Sequence, residues 1–360
     1  MFNMVQVIAD NLNMPTWVVW LIFAGVIYVF YLSYSNKHSN SKPNRDKLAT
    51  SGLAELKELK SFNKKGGIQL SKNFYLSEKA CYEHICVIGP TGAGKTTSIF
   101  YPNLLQEESF CNGKSSVVIT DPKGELFKDT STYQNSLGRK ISVFAPLEPQ
   151  YSFKYNPLEF CKDETEVIDL AGNLLICGTK AIEIASGKSG GNPDFINMAK
   201  PLLASALLYV WYIRNNLNTI ANAIDLITNS SLQQLFDLLG KSNFPEVKRQ
   251  FNSFFQAAGS QKTVASIKVT LSSNLQIFID PTIRELTSRN IIDFAELRRT
   301  PTALYINYPE RHAVRIAPLL SIFFHQLIDE LMNDENLIEN YLPVFFLFDE
   351  MRNIGIIPNL

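Results

Sequence analysis

The chain lacks any surplus of charge and any paired-cysteine motif. Its 360 residues carry 34 Lys+Arg against 34 Asp+Glu, a formal net charge of zero. That excludes a protein that coats nucleic acid by bulk electrostatics, so any DNA or RNA contact must use a local patch. The five cysteines, Cys81, Cys86, Cys111, Cys161 and Cys177, are an odd number and form no C-x-x-C pair. A disulfide framework or zinc site is therefore not expected, and the chain reads as reduced. Cys81, His84 and Cys86 lie close in sequence, but the last two enter an apolar run, where packing is the simpler role than metal binding.

Hydrophobic residues make up 46% of the chain and charged residues 19%, with 24 Phe, which is ample for a large buried core and excludes a disordered chain. Residues 17–32 are uncharged and apolar, and with their flanks (15–34) they reach the ~20 residues that a bilayer core requires. Trp17 and Trp20 stand near one end of the run, with Tyr28, Tyr31 and Tyr34 toward the other. Only Asp10 precedes the run, whereas Lys37, Lys42, Arg45 and Lys47 follow it. The pattern predicts a single transmembrane helix with residues 1–14 outside, a basic linker at 35–50 and the bulk of the chain in the cytoplasm at the inner or plasma membrane. A cleaved signal peptide would need a basic front and a small-residue cleavage site, and neither is present. Residues 201–213 are apolar too but too short to span, and read as a buried helix.

The strongest motif is Gly89-Pro90-Thr91-Gly92-Ala93-Gly94-Lys95-Thr96, a complete G-x-x-x-x-G-K-[ST] phosphate loop. His84-Ile85-Cys86-Val87-Ile88 before it reads as a buried parallel strand, and Thr97 opens a helix behind it. Glycines let successive backbone N–H groups surround phosphate oxygens, Lys95 can reach the terminal phosphates, and the Thr96 hydroxyl suits Mg²⁺. Two strands compete for the metal-side carboxylate. One is residues 116–121, ending in Asp121 before Pro122, Lys123, Gly124 and Glu125; the other is residues 344–348, ending in Asp349 and Glu350. Only the second offers adjacent acids, Asp349 for the metal and Glu350 to polarise water. Asp121, Lys123 and Glu125 remain as phosphate, DNA or subunit contacts, or as a plain strand-to-helix turn.

Residues 160–295 read as helical throughout, with turn formers at 186–192 and strand character returning at 303–308. The simplest architecture is an α/β nucleotide-binding domain in two parts, 51–159 and 296–360, with an all-helical insertion at 160–295. Lys262 and Lys268 lie among hydroxyls and offer either a phosphate contact or a solvated helix face.

The chain resembles the conjugative type IV coupling proteins (TraG/TraD-like) over residues 50–360. The likeness rests on the phosphate loop, Tyr101-Pro102-Asn103-Leu104-Leu105, Asp121-Pro122-Lys123-Gly124-Glu125 and Tyr155-Asn156-Pro157-Leu158. Leu286-Thr287-Ser288, Phe348-Asp349-Glu350 and Asn353-Ile354-Gly355 followed by Ile357-Pro358 extend it. The resemblance implies a RecA-like P-loop core, a hexameric ring on the membrane, and ATP with Mg²⁺ as cofactors. The implied partners are conjugative DNA with its bound relaxase, or protein effectors, and subunits of the secretion channel. It also implies a strand between the phosphate-loop strand and the Asp349 strand, a polar γ-phosphate sensor and an arginine finger. None of these is found up to Leu360, so an incomplete sheet and weak activity are expected of this stretch. The rival readings are another membrane-tethered P-loop DNA translocase and a nucleotide-gated receptor without turnover.

Overall fold

The structure is a computed structural model that describes residues 15–18, 20, 24, 28, 59–60, 63–90, 92–187, 193–214, 218–333 and 341–355. The chain divides into two units, Met1–Ser61 and Phe62–Leu360. In the first, residues 16–18, 20, 24 and 28 are helical. The segment expected at 1–14, most of the membrane helix expected at 15–34, and the linker at 35–50 lie outside the described residues.

The second unit opens with a small antiparallel hairpin, β1 (Gln69–Ser71) and β2 (Phe74–Tyr75). Its main sheet holds four parallel strands in the order β4 (Lys140–Phe144), β5 (Thr302–Asn307), β3 (Ser116–Asp121), β6 (Val344–Leu347). All six residues of β3 are buried, as expected of a parallel strand covered on both faces. Side-chain alternation divides it between two cores: Val118 joins one, while Val117 and Ile119 join the other. β5 divides likewise, Leu304 and Ile306 against Ala303 and Tyr305.

The phosphate loop leads through a π-helical turn, Thr96–Phe100, into α1 (Tyr101–Leu104), and β3 leads into α2 (Glu125–Ser136). Between β4 and β5 the described residues form no strand. They fold as α3 (Glu164–Ser186), α4 (Pro193–Ile213), α5 (Ile220–Asn229), α6 (Pro245–Ala258) and α7 (Gln261–Asn274), with shorter turns between. α3 starts where the Asp163 carboxylate accepts from the Glu166 N–H at 2.9 Å and ends at Gly187, φ 65°. α4 contains the apolar stretch 201–213 and passes a length-and-hydropathy test for a membrane span. Its residues Leu202–Leu208 are nevertheless fully buried against other helices, so it is a core helix.

The helices share one continuous core with the sheet. Its joint is aromatic: Phe144 at the end of β4 stacks on Phe323 of α8 (Ala313–Met332), ring centroids 4.3 Å apart at 8°. Phe294 meets Phe323 edge-on at 5.3 Å and stacks on Phe160 at 4.6 Å. Such pairs add about 0.5–1.5 kcal/mol each beyond the area they bury.

One expected strand does not form. Among the described residues, 84–90 have no ladder partner, and Ile88 is 93% exposed. A cleft of about 480 Å³ lined by Ile85, Val87 and Ile88 is also lined by Phe346, Leu347 and Phe348, and β6 is the edge of its sheet. A strand exists only through hydrogen bonds to a neighbour; with no ladder across the cleft, these apolar residues stay outside the sheet and exposed.

Left-handed backbone runs through Phe110, Cys111, Asn112 and Gly113, with φ between 51° and 80°. Three of the four bear a Cβ, which disfavours that region by about 1 kcal/mol each. The buried Arg139 offsets this, donating to Phe110 O at 2.9 Å, Ser115 O at 2.8 Å, Ser115 Oγ at 3.0 Å and Gln134 Oε1 at 2.8 Å. None of these acceptors is charged, and burial pulls its pKa down to about 10. Replacing Arg139 by Met removes the donor to Ser115 O and Gln134 Oε1, while Phe110 O keeps only the Ser115 hydroxyl at 2.6 Å. A loss of about 2–4 kcal/mol is expected in denaturant unfolding, and a change under 1 kcal/mol would show that the turn holds itself.

Candidate nucleotide-binding site

Gly92 and Gly94 sit at φ 80° and 81°, a region their lack of a side chain makes accessible. Thr91 lies outside the described residues. Ala93 N–H donates to Pro90 O at 3.2 Å, and Ser98 N–H to Gly94 O at 2.8 Å, which closes the loop onto the first helical turn. The Thr97 side chain is turned back on the loop, its hydroxyl donating to Gly94 O at 3.0 Å. Lys95 folds over the same loop, its ammonium donating to Gly89 O at 3.0 Å and Pro90 O at 3.3 Å. These carbonyls hold the cation at the mouth of the cradle, where a phosphate oxygen would be a stronger acceptor.

β6 brings the adjacent acids to this loop. The Thr96 hydroxyl donates to Asp349 Oδ2 at 2.9 Å, across 253 residues of sequence. A hydroxyl and a carboxylate side by side are the hard oxygen donors that Mg²⁺ takes, alongside phosphates and water. Glu350 follows, exposed and at φ 51°. Thr120, which the sequence reading did not single out, locks Asp349 to β3: Asp349 N–H donates to Thr120 Oγ1 at 2.7 Å, and that hydroxyl donates to Asp349 O at 2.9 Å.

Asp121 sits one strand away and serves a different end. It is 2% exposed, and its Oδ2 accepts from Phe127 N–H at 2.8 Å, so it caps the start of α2. Burial pushes its carboxyl above the usual aspartate range, opposed by backbone N–H donors from Phe127, Leu126, Gly124 and Lys123. Lys123 and Glu125 are exposed. Lys123 lines a separate cavity of about 790 Å³ at the carboxyl ends of β3, β4 and β5.

The other motif residues act as struts. Asn103 accepts from Gln69 N–H at 2.6 Å and donates to Gln69 O at 2.8 Å and Ile99 O at 2.7 Å, tying β1 to the helix behind the loop. Tyr155 N–H donates to Leu286 O at 3.0 Å, so the Tyr-Asn-Pro-Leu and Leu-Thr-Ser segments meet. Of the two lysines on α7, Lys262 is exposed, while Lys268 donates to Ser230 O at 2.5 Å.

Loop, helical turn and acid-bearing strand together form a P-loop site at the edge of a parallel sheet. The model of the family described as type IV secretory system conjugative DNA transfer matches residues 37–360, and the chain belongs to that family. It is 29% identical over 282 residues to protein VirD4 of Rhizobium rhizogenes, covering 76% of this chain and 39% of that one. It is 23% identical over 302 residues to the conjugal transfer protein TraG of Escherichia coli, covering 79% and 46%. The chain thus spans under half the length of these curated relatives. Among solved structures it is similar to the bacterial conjugative coupling protein TrwBdeltaN70 in complex with sulphate, with a TM-score of 0.57 at 16% identity, covering 83% of this chain and 64% of that one. TrwB in complex with ADP and Mg²⁺ gives 0.56 at 15% identity, covering 83% and 63%.

The capping geometry of Asp121 has a testable consequence. Its folded pKa is raised, so the folded state favours the proton. Stability drawn from this group is full below the unfolded carboxyl's range and is lost as pH rises through the folded value. Asp121→Asn keeps the acceptor and never ionises, so it should match or exceed wild-type stability at pH 7 and flatten that pH dependence. Asp121→Ala loses the cap and should cost about 1 kcal/mol. A drop in nucleotide affinity on Asp121→Asn at unchanged stability would instead make Asp121 a ligand.

Proposed function

We propose that the chain is the motor part of a membrane-anchored ATPase that couples DNA with its bound relaxase, or protein substrates, to a type IV secretion channel. The observation that carries this reading is the 2.9 Å approach of Thr96 to Asp349 beneath the phosphate loop. It places a hydroxyl and a carboxylate beside backbone N–H groups that favour phosphate. In this reading Gly89, Pro90, Thr91, Gly92, Ala93, Gly94 and Thr97 frame the triphosphate of ATP. Lys95 leaves its two carbonyls for the phosphate oxygens, and Thr96 and Asp349 hold Mg²⁺. Bound Mg²⁺ would neutralise charge on the phosphates. Glu350 takes a proton from the attacking water, a role worth about 10²–10⁴ in rate.

Residues 15–34 cross the membrane once with the N-terminus outside, and residues 35–50 form a basic linker. The helical stretch 160–295 acts as an all-α domain inserted in the motor, and six copies form the working ring. Family membership and the nucleotide-bound states named for TrwB support the reading.

The test is Glu350→Gln in the natural full-length protein. Nucleotide affinity should remain within about threefold, while ATP turnover and substrate transfer should both fall at least 100-fold. Lys95→Ala should instead lose nucleotide binding. Transfer at wild-type level by Glu350→Gln would overturn the motor in favour of a receptor that recruits substrate without turnover.

A further inference from the structure

Glu350 is the one residue of the acid pair in a strained conformation. Its φ of 51° lies in the left-handed region, which costs a residue with a Cβ about 1 kcal/mol and persists only where the surroundings impose it. The hold on its N-terminal side is Thr120, already described. On its C-terminal side the short helical turn Met351–Ile354 ends in Ile354, whose side chain is fully buried and whose carbonyl accepts from the Ser321 hydroxyl at 3.0 Å. Gly355, at φ 87°, then passes so close to α8 that a Cβ there would lie 2.7 Å from Ser321 Oγ and 3.3 Å from Ala317 Cβ.

From this clamp we infer that Ser321 is a positioning residue for Glu350: it fixes the far end of the acid's turn and so aims the carboxylate at the cradle. Ser321 is 1% exposed on a helix packed in the core, a rigid base from which to set a turn that is itself exposed at Glu350. Cys177 of α3 also lies within hydrogen-bonding reach of the Ser321 hydroxyl. The same hydroxyl therefore joins the acid turn to the first helix of the helical layer. Small residues make this approach possible, since Gly355 and Ala317 leave room for the turn to lie on α8.

The inference rests on the reading of Glu350 as the group that polarises water. In the natural full-length protein, Ser321→Ala should lower kcat for ATP hydrolysis about 10- to 100-fold at unchanged KM, because a displacement of about 1 Å at a reacting group costs on that order. In a Glu350→Gln background the same change should have no further effect on residual turnover, a non-additivity that general destabilisation would not produce. Ser321→Cys, assayed under reducing conditions, keeps the volume and weakens the donor. It should lower kcat by a smaller factor and serves if the alanine chain does not fold. Wild-type kcat in either variant, a change confined to KM, or an equal loss in the Glu350→Gln background overturns the inference alone. Absence of turnover by the wild-type protein overturns the motor reading and this inference together.

Discussion

The site depends on one registration, that of β6 against β3. Parallel pairing of Ser116 with Val344 and of Ile119 with Leu347 carries Phe348 to the level of Thr120 and Asp349 just past it. Thr120 then clasps the Asp349 backbone from both its N–H and its carbonyl. A slip of one residue would turn every side chain of β6 to the opposite face, and Phe348 or Glu350 would stand where Asp349 meets Thr96. A junction across 253 residues of chain is thus decided by a four-residue strand and one hydroxyl.

What stabilises that strand lies on both of its faces. Phe345 and Leu347 enter the smaller core with Val117, Ile119 and Tyr305, and Phe346 and Phe348 lie against the larger one. Phe345 meets Phe110 at 5.2 Å, the residue whose left-handed turn Arg139 holds. Phe348 meets Phe324 of α8 edge-on at 5.2 Å. The helix that supports the acid turn therefore also supports the strand before it, and the helical layer and the phosphate cradle share one mechanical frame.

Much of this was legible in the sequence, for identifiable reasons. The phosphate loop is contiguous, so its spacing alone states its chemistry. β3 and β5 are unbroken apolar runs ending in polar residues, and the pairing of Asp349 with Glu350 singled out the second acid strand. Three features were not legible. The hairpin of β1 and β2 is too short for periodicity to register. Thr120 and Ser321 act through contacts with residues far away in sequence, and a lone hydroxyl in an apolar stretch carries no local sign of its partner. Residues 84–88 read as a buried strand because composition reports how well a segment suits a ladder, whereas the ladder itself requires a neighbour. Asp121, one of several roles left open for its motif, turned out to satisfy the helix that follows it.

The apolar run ahead of the phosphate loop has a consequence for how the molecule behaves in solution. Val87 and Ile88 present greasy side chains beside the outer edge of β6, which has no ladder partner among the described residues. That is the surface to which any loose extended polypeptide adheres. Handled as a dilute soluble preparation, the protein should lose its colloidal stability from this side first.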